Sequence, residues 1–236
     1  MALIKKKKKG MVGIQLPIDY FVYTVTANAK DVDASYAFYI DSNQCFCIVR
    51  DGEYVDFDLS NFFGGAIYPF SPKLVSKGKK RKYKEATIFC VTTKDFWHKF
   101  HWAGFLPSYI TDPKTQKKYQ VSFSGDYYVT LDLEDVNNSV SLIYKNVLPK
   151  FGYQSIKIGQ LNDILMEGAG GVLQECVEKY VANRECSIFD DDTVAARGYI
   201  EISDSFVDKM GKVISDYGLE LIKNTVVIDS LIFKEI

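Results

Sequence analysis

Two histidines, five cysteines and an aspartate triplet are the residues of this 236-residue chain whose types and spacing could do chemistry. His98 and His101 lie in FWHKFHWAGF (96–105); three residues apart, they share one side of a helical turn, where two imidazoles can hold a metal. A closed zinc site needs about four ligands, and the segment 96–105 itself contains neither a carboxylate nor a thiol. The favoured reading of the segment is therefore packing aromatics or a partner-binding patch of Phe96, Trp97, His98 and Trp102, with no metal expected. Asp190, Asp191 and Asp192 lack the alternating ligands and terminal Glu of a calcium loop and read as a capping loop ahead of residues 194–202. Cys45, Cys47, Cys90, Cys176 and Cys186 are odd in number and contain no C-x-x-C, which argues against a disulfide framework or a zinc ribbon. Buried thiols in a reducing compartment are expected. Cys45 and Cys47 share one face of a strand pattern with nothing basic or prolyl to activate them.

Other catalytic signatures are missing. The sequence has no Gly-x-Ser-x-Gly, no phosphate-binding Gly-Lys-Ser/Thr loop, no dinucleotide fingerprint and no His-Glu-x-x-His. A Cys/His nucleophilic pair stays open, since its partners are distant in sequence, but no residue speaks for it. The chain is accordingly expected not to be an enzyme, to need no cofactor and to take no small-molecule substrate.

Charge gives a stronger signal. Lys5, Lys6, Lys7, Lys8 and Lys9 form one polybasic run; Lys77, Lys79, Lys80, Arg81, Lys82 and Lys84 form a second, six cations in eight residues. The net charge of −1 conceals a division: residues 1–118 carry 19 Lys/Arg against 11 Asp/Glu, and residues 119–236 carry 10 against 19. A chain polarised in this way can bind an anionic surface through its basic half, or pack head to tail on copies of itself. An anionic membrane face suits both runs. Nucleic acid is the alternative partner, with Tyr83 inside the second run offering a ring for stacking.

The elements that must carry these residues follow from periodicity. With 47% apolar and 25% charged residues, the chain is globular rather than disordered, and 16 Tyr with 16 Phe favour a sheet-rich structure. Lys5–Lys9 belong to a basic tail (1–12), since five adjacent like charges repel. Residues 13–26 hold a strand, with Pro17 at its start or on an edge. Residues 37–50 read as a hairpin turning at Asp41-Ser42-Asn43, followed by an Asp51-Gly52 turn. Residues 61–72 are a shaped loop, 77–84 a loop or hairpin tip, and 85–93 a strand.

In 118–133, Tyr119, Val121 and Phe123 alternate, and Tyr127, Val129 and Leu131 resume after Gly125-Asp126, as a hairpin or a bulged strand. Residues 133–148 form a helix ended by Pro149. A second helix over 160–181 contains Gly168, Gly170 and Gly171, which either break it or admit a closely packed backbone, at a cost of about 1 kcal/mol each. Ser203 or Asp204 caps a third helix with Phe206, Met210, Val213, Ile214 and Tyr217 on its buried face. Gly218 ends it, and a β-branched strand runs to Phe233. No apolar run is long enough to span a bilayer, and MALIKKKKKG lacks a signal peptide's apolar segment. A cytoplasmic protein, at most peripheral on the inner membrane face, is expected.

Taken in order, the elements resemble the SPFH or band-7 superfamily of stomatin, prohibitin and flotillin relatives, and are most similar to its bacterial virion core protein-like subgroup. Four stretches carry the resemblance: QCFCIVRDG (44–52), FFGGAIYPFSP (62–72), VSFSGDYYVTLDLEDV (121–136), and the closing helix with YGLEL and VVIDSLIF. They look like the subgroup's glutamine, apolar strand and glycine turn; its glycine followed by an aromatic and a proline; its Gly-x-Tyr strand leading through acids into a helix; and its closing helix, tyrosine-glycine turn and final strand. The resemblance implies an α+β domain of mixed antiparallel strands and packed amphipathic helices over 13–236, with sublobes near 13–115 and 116–236. It also implies a non-enzymatic, oligomerising, membrane-apposed scaffold; a virion- or shell-type structural role is the variant reading. The sequence carries no membrane hairpin ahead of these elements, no zinc ribbon, and no heptad repeat after Phe233, where family members continue into a coiled coil.

Overall fold

Period-2 patterning dominates the first half of the chain and period-3.6 patterning the second, and the structure follows this division. A computed structural model describes residues 5–8, 11–14, 17, 19–28, 37–40, 45–51, 54–58, 66–67, 85–92, 98–132, 134–183 and 192–236. The strands, in chain order, are β1 (Lys5–Lys8), β2 (Met11–Ile14), β3 (Tyr20–Asn28), β4 (Ala37–Ile40), β5 (Cys45–Asp51), β6 (Tyr54–Asp58), β7 (Ala66–Ile67), β8 (Glu85–Thr92), β9 (His98–Phe105), β10 (Ile110–Thr111) and β11 (Lys118–Leu131). Helix α1 (Val136–Leu142), strand β12 (Ile156–Lys157), helices α2 (Ile158–Ala182) and α3 (Asp192–Ser215), and strands β13 (Leu219–Leu221) and β14 (Val227–Glu235) complete an α+β fold. Two compact units result, each discontinuous in sequence: residues 1–96 with 131–158, and 97–130 with 159–236. The sequence reading instead drew contiguous sublobes, 13–115 and 116–236.

In the first unit, one sheet has the order β12-β3-β8-β5-β6 and another β1-β2-β4-β7. β5 and β6 pair antiparallel with Asp51 opposite Tyr54, as a turn after β5 requires; Gly52 itself lies outside the described residues. The expected hairpin over 37–50 does not form, because β4 pairs with β2 and β7 while β5 pairs with β8 and β6. Longer partners on both sides of β5 outweigh the local turn. The basic run also departs from expectation: Lys5–Lys8 form a strand antiparallel to Met11–Ile14 rather than a free tail. Pairing satisfies the backbone there, and an extended chain is itself a conformation that adjacent like charges tolerate. Phe89 on β8 meets Tyr144 edge-on at 6.2 Å and Tyr153 at 6.3 Å. These rings bring the turns after α1 onto β8: a π turn over Ile143–Val147, then a 3-10 turn over Leu148–Phe151 that contains Pro149.

The second unit is a sheet covered on one face by helices. β11 lies at its centre; β9 and β10 pair along one side, β14 and β13 along the other. Burial alternates without interruption along all 14 residues of β11, so the expected irregularity at Gly125 is not a phase break in this strand. The extra residue belongs to β14: Ser124 faces Ser230 and Gly125 faces Ile228, leaving Asp229 bulged. On the inner face, Trp102 is fully buried and stacks on Phe206 of α3, ring centroids 4.8 Å apart and 4° from parallel.

α2 runs unbroken through its glycines. A Cβ on Gly168 would stand 3.0 Å from the Val213 side chain, so α3 approaches α2 there through a side chain and not through its backbone. α3 begins at Asp192, eleven residues before the expected cap, and Ser203 and Asp204 lie inside it. Burial of Ile202 together with Phe206, Met210 and Ile214 stabilises the longer helix by more than an interior Ser and Asp cost. Gly218 closes the helix with φ of 76°, the left-handed conformation expected of it.

Candidate functional site

The opposite face of this sheet is not covered by the unit's helices. Because side chains alternate along a strand, the even-numbered residues of β11 point there, flanked by the odd-numbered residues of β9. Register places Asp126 opposite His101, Tyr128 opposite Lys99, Ser124 opposite Ala103 and Ser122 opposite Phe105. Across β14, Ser122 meets Ile232, Gln120 meets Lys234 and Asp126 meets Val227.

Ion pairing organises one end of the face. The Asp126 carboxylate lies 3.0 Å from His101 Nδ1 and 2.7 Å from Lys99 Nζ. The hydrogen bond from Lys99, above all, holds the Asp126 carboxyl below its ordinary range, and the same bond raises the Lys99 ammonium. Asn162 of α2 donates its side-chain N–H to the His101 carbonyl at 3.4 Å, tying this edge strand to the helix layer. A carboxylate on Nδ1 orients an imidazole as it would in a general base, but Ser124 and Ser230 hydrogen-bond to each other at 2.7 Å, and His101 bonds to no hydroxyl among the described residues. The cluster pairs two cationic or titratable groups with one carboxylate, and among the described residues it holds no hydroxyl or thiol against His101.

The other end combines apolar and cationic side chains. Phe105 is 65% exposed and Ile232 60%, with Ser122 between them. Tyr109 and Ile236 are also more than half exposed. The Lys118 ammonium lies 4.5 Å from the centre of the Tyr109 ring, and Lys234 is exposed two residues beyond Ile232. The neighbouring carboxylate Glu235 is taken by Lys117 at 2.9 Å. This end of the face therefore exposes large apolar groups beside lysines.

The residues singled out from the sequence are distributed differently. His98 and His101 lie on a strand, so three-residue spacing sends them to opposite faces; they cannot share a metal through a helical turn. Alternating aromatics at 98, 100 and 102 favour the strand. His98 turns inward against Phe100 with ring centroids 5.1 Å apart, and burial lowers its pKa. Trp102 belongs to the core and not to a partner-binding patch. Phe96, Trp97, Lys9, Lys77, Lys79, Lys80, Arg81, Lys82, Lys84, Asp190 and Asp191 lie outside the described residues. Among the described residues, no group of three or more His, Cys, Asp or Glu is placed to hold a metal ion. Cys90 and Cys176 are buried thiols, and burial pushes the Cys176 thiol up. Sequence reasoning missed Lys99, Phe105, Asp126, Lys118, Ile232 and Lys234. The signal was the polar phase of 118–131, which already gathers the even positions onto one face.

No family model and no curated protein matches this chain.

Proposed function

We propose that this protein is a non-enzymatic scaffold of the band-7 type that assembles with copies of itself and associates peripherally with an anionic membrane surface on its cytoplasmic side. One observation carries the reading: the second unit exposes a sheet face bearing Phe105, Tyr109 and Ile232 with Lys118 and Lys234, a surface made for contact. The four band-7-like stretches, including the helix, Gly218 turn and final strand, support the family assignment. The polybasic runs Lys5–Lys9 and Lys77–Lys84 supply the membrane attraction, at about 1 kcal/mol per basic residue near an anionic surface. No helix among the described residues is long and apolar enough to cross a membrane, and attachment in this reading needs none.

Two measurements test it. The native mass by light scattering is expected to exceed the monomer's 26.8 kDa and to rise with concentration; a clean monomer at high concentration overturns the assembly half. The protein is expected to co-sediment with phosphatidylserine-containing vesicles at low salt, and not with phosphatidylcholine vesicles. Failure there, with a salt-dependent shift of single-stranded DNA instead, overturns the membrane half in favour of nucleic-acid binding.

A further inference from the structure

We infer that assembly is head to tail: the open sheet face of one copy's second unit docks on the outer face of α3 of the next copy. The inference rests on the scaffold reading and names its contact surfaces. The sheet and the helices form two layers, because the inner faces of β9 and β11 pack on α3 through Trp102 and Phe206 and approach α2, where a Cβ on Gly170 would stand 4.0 Å from Phe123. The open sheet face and the outer stripe of α3 therefore lie on opposite sides of one unit.

Their chemistry is complementary. The sheet face is apolar and cationic at the Phe105–Ile232 end, where Lys118 and Lys234 have no carboxylate to neutralise them among the contacts described above. Across the unit, α3 turns Phe206 and Met210 inward and exposes Glu201, Asp204 and Asp208, beside Ile200, which is 63% exposed. Asp208 lies 3.7 Å from Lys223, both side chains being largely exposed. Lys209 is occupied by Glu175 at 2.6 Å, and Lys212 follows Asp208 by one turn, at the edge of the acidic stripe. An exposed isoleucine rimmed by acids fits an exposed phenylalanine and isoleucine rimmed by lysines.

The alternative self-contact, sheet face on sheet face, would oppose Lys118 and Lys234 to their own copies. Like charges disfavour that arrangement. Two different complementary patches on opposite sides of one body give a heterologous interface, which propagates into a ring or a filament and does not stop at a dimer. The far end of the sheet face takes little part in the selection, because Lys99 and His101 already face Asp126, with Asp229 close enough to bear on Lys99.

A charge swap in the whole chain tests this. Lys118→Glu with Lys234→Glu, and separately Asp204→Lys with Asp208→Lys, should each reduce the native mass to 26.8 kDa under conditions where the unsubstituted protein assembles. A single chain carrying all four substitutions has both patches reversed and should assemble again, as should an equimolar mixture of the two double variants. Thermal melting, expected to be little changed at these exposed positions, separates lost contact from lost fold. If either double variant keeps the wild-type mass, or if the fourfold variant melts normally yet stays monomeric, the head-to-tail contact is wrong even though the protein assembles. If the unsubstituted protein is itself monomeric, the scaffold reading falls along with it.

Discussion

The two faces of β9, β11 and β14 share a backbone and obey different rules. Inward, Phe100, Trp102, Val121, Phe123, Tyr127 and Val129 are all buried, and their identities are set by volume. Outward, the same strands carry Lys99, His101, Asp126, Ser122, Ser124 and Ser230, set by charge and by hydrogen bonding in solvent. Truncating a buried side chain forfeits transfer energy and leaves a cavity, whereas an exposed ion pair contributes little to stability. The open face is therefore free to vary for contact. The contrast predicts that substitutions inward change stability and substitutions outward change association.

The most severe test lies where the faces meet the bulge. A Cβ on Gly125 would stand 2.2 Å from the Val227 carbonyl oxygen and 2.6 Å from Trp102 Nε1. Neither the backbone of β14 nor an indole stacked on Phe206 can give way cheaply. Gly125→Ala is expected to lose about 3 kcal/mol, and Trp102→Ala about 3–5 kcal/mol, both measured as shifts in the denaturant midpoint. A near-neutral Gly125→Ala would mean that β14 does not pass over this position.

Smaller effects run in the opposite direction. Gly171 lies inside α2 with nothing within 4 Å of its Cβ position, so Gly171→Ala should stabilise by about 1 kcal/mol through helix propensity alone. The Tyr127 hydroxyl is buried without a hydrogen-bond partner among the described residues, and burial raises its pKa. Removing an unsatisfied buried hydroxyl removes a desolvation penalty, so Tyr127→Phe should also gain about 1 kcal/mol. A loss on Tyr127→Phe would reveal a partner for that oxygen.

How much of this was legible in the sequence depended on the range of the deciding interaction. α2, β8 and the Gly218 turn were readable because their signals are local: a helical repeat, an apolar run, a glycine after the last buried residue. The inward set of β11 was readable for the same reason. The hairpin over 37–50 was misread because β5 takes partners from residues 54–58 and 85–92, and no local turn reports that choice. The capping reading of Ser203 and Asp204 failed because burial of Ile202 extends α3 backwards. The open face was the least legible part. Phe105, Ser122 and Ile232 become neighbours only when strands more than a hundred residues apart take one register, and the bulge at Asp229 that fixes that register has no sequence mark of its own. The shared side that three-residue spacing would give His98 and His101 on a helical turn did not materialise, because two residues three apart oppose each other across a strand.

His98 gives the smallest and most specific test of the inward rule, since it is the one histidine on that face. Packed against Phe100, it is held below its ordinary pKa of 6.5 by burial. The unfolded chain therefore binds a proton at this imidazole more readily than the folded one does, and stability rises with pH wherever the unfolded state holds more protons. The contribution is complete above about 6.5 and is lost as the pH falls from there through the lowered folded value. His98→Gln removes the group that titrates. Its denaturation midpoint, followed from pH 8 to pH 5, should decline less steeply than that of the wild type (pH range of order the histidine window). Parallel curves would place the imidazole in solvent and move His98 to the outward face.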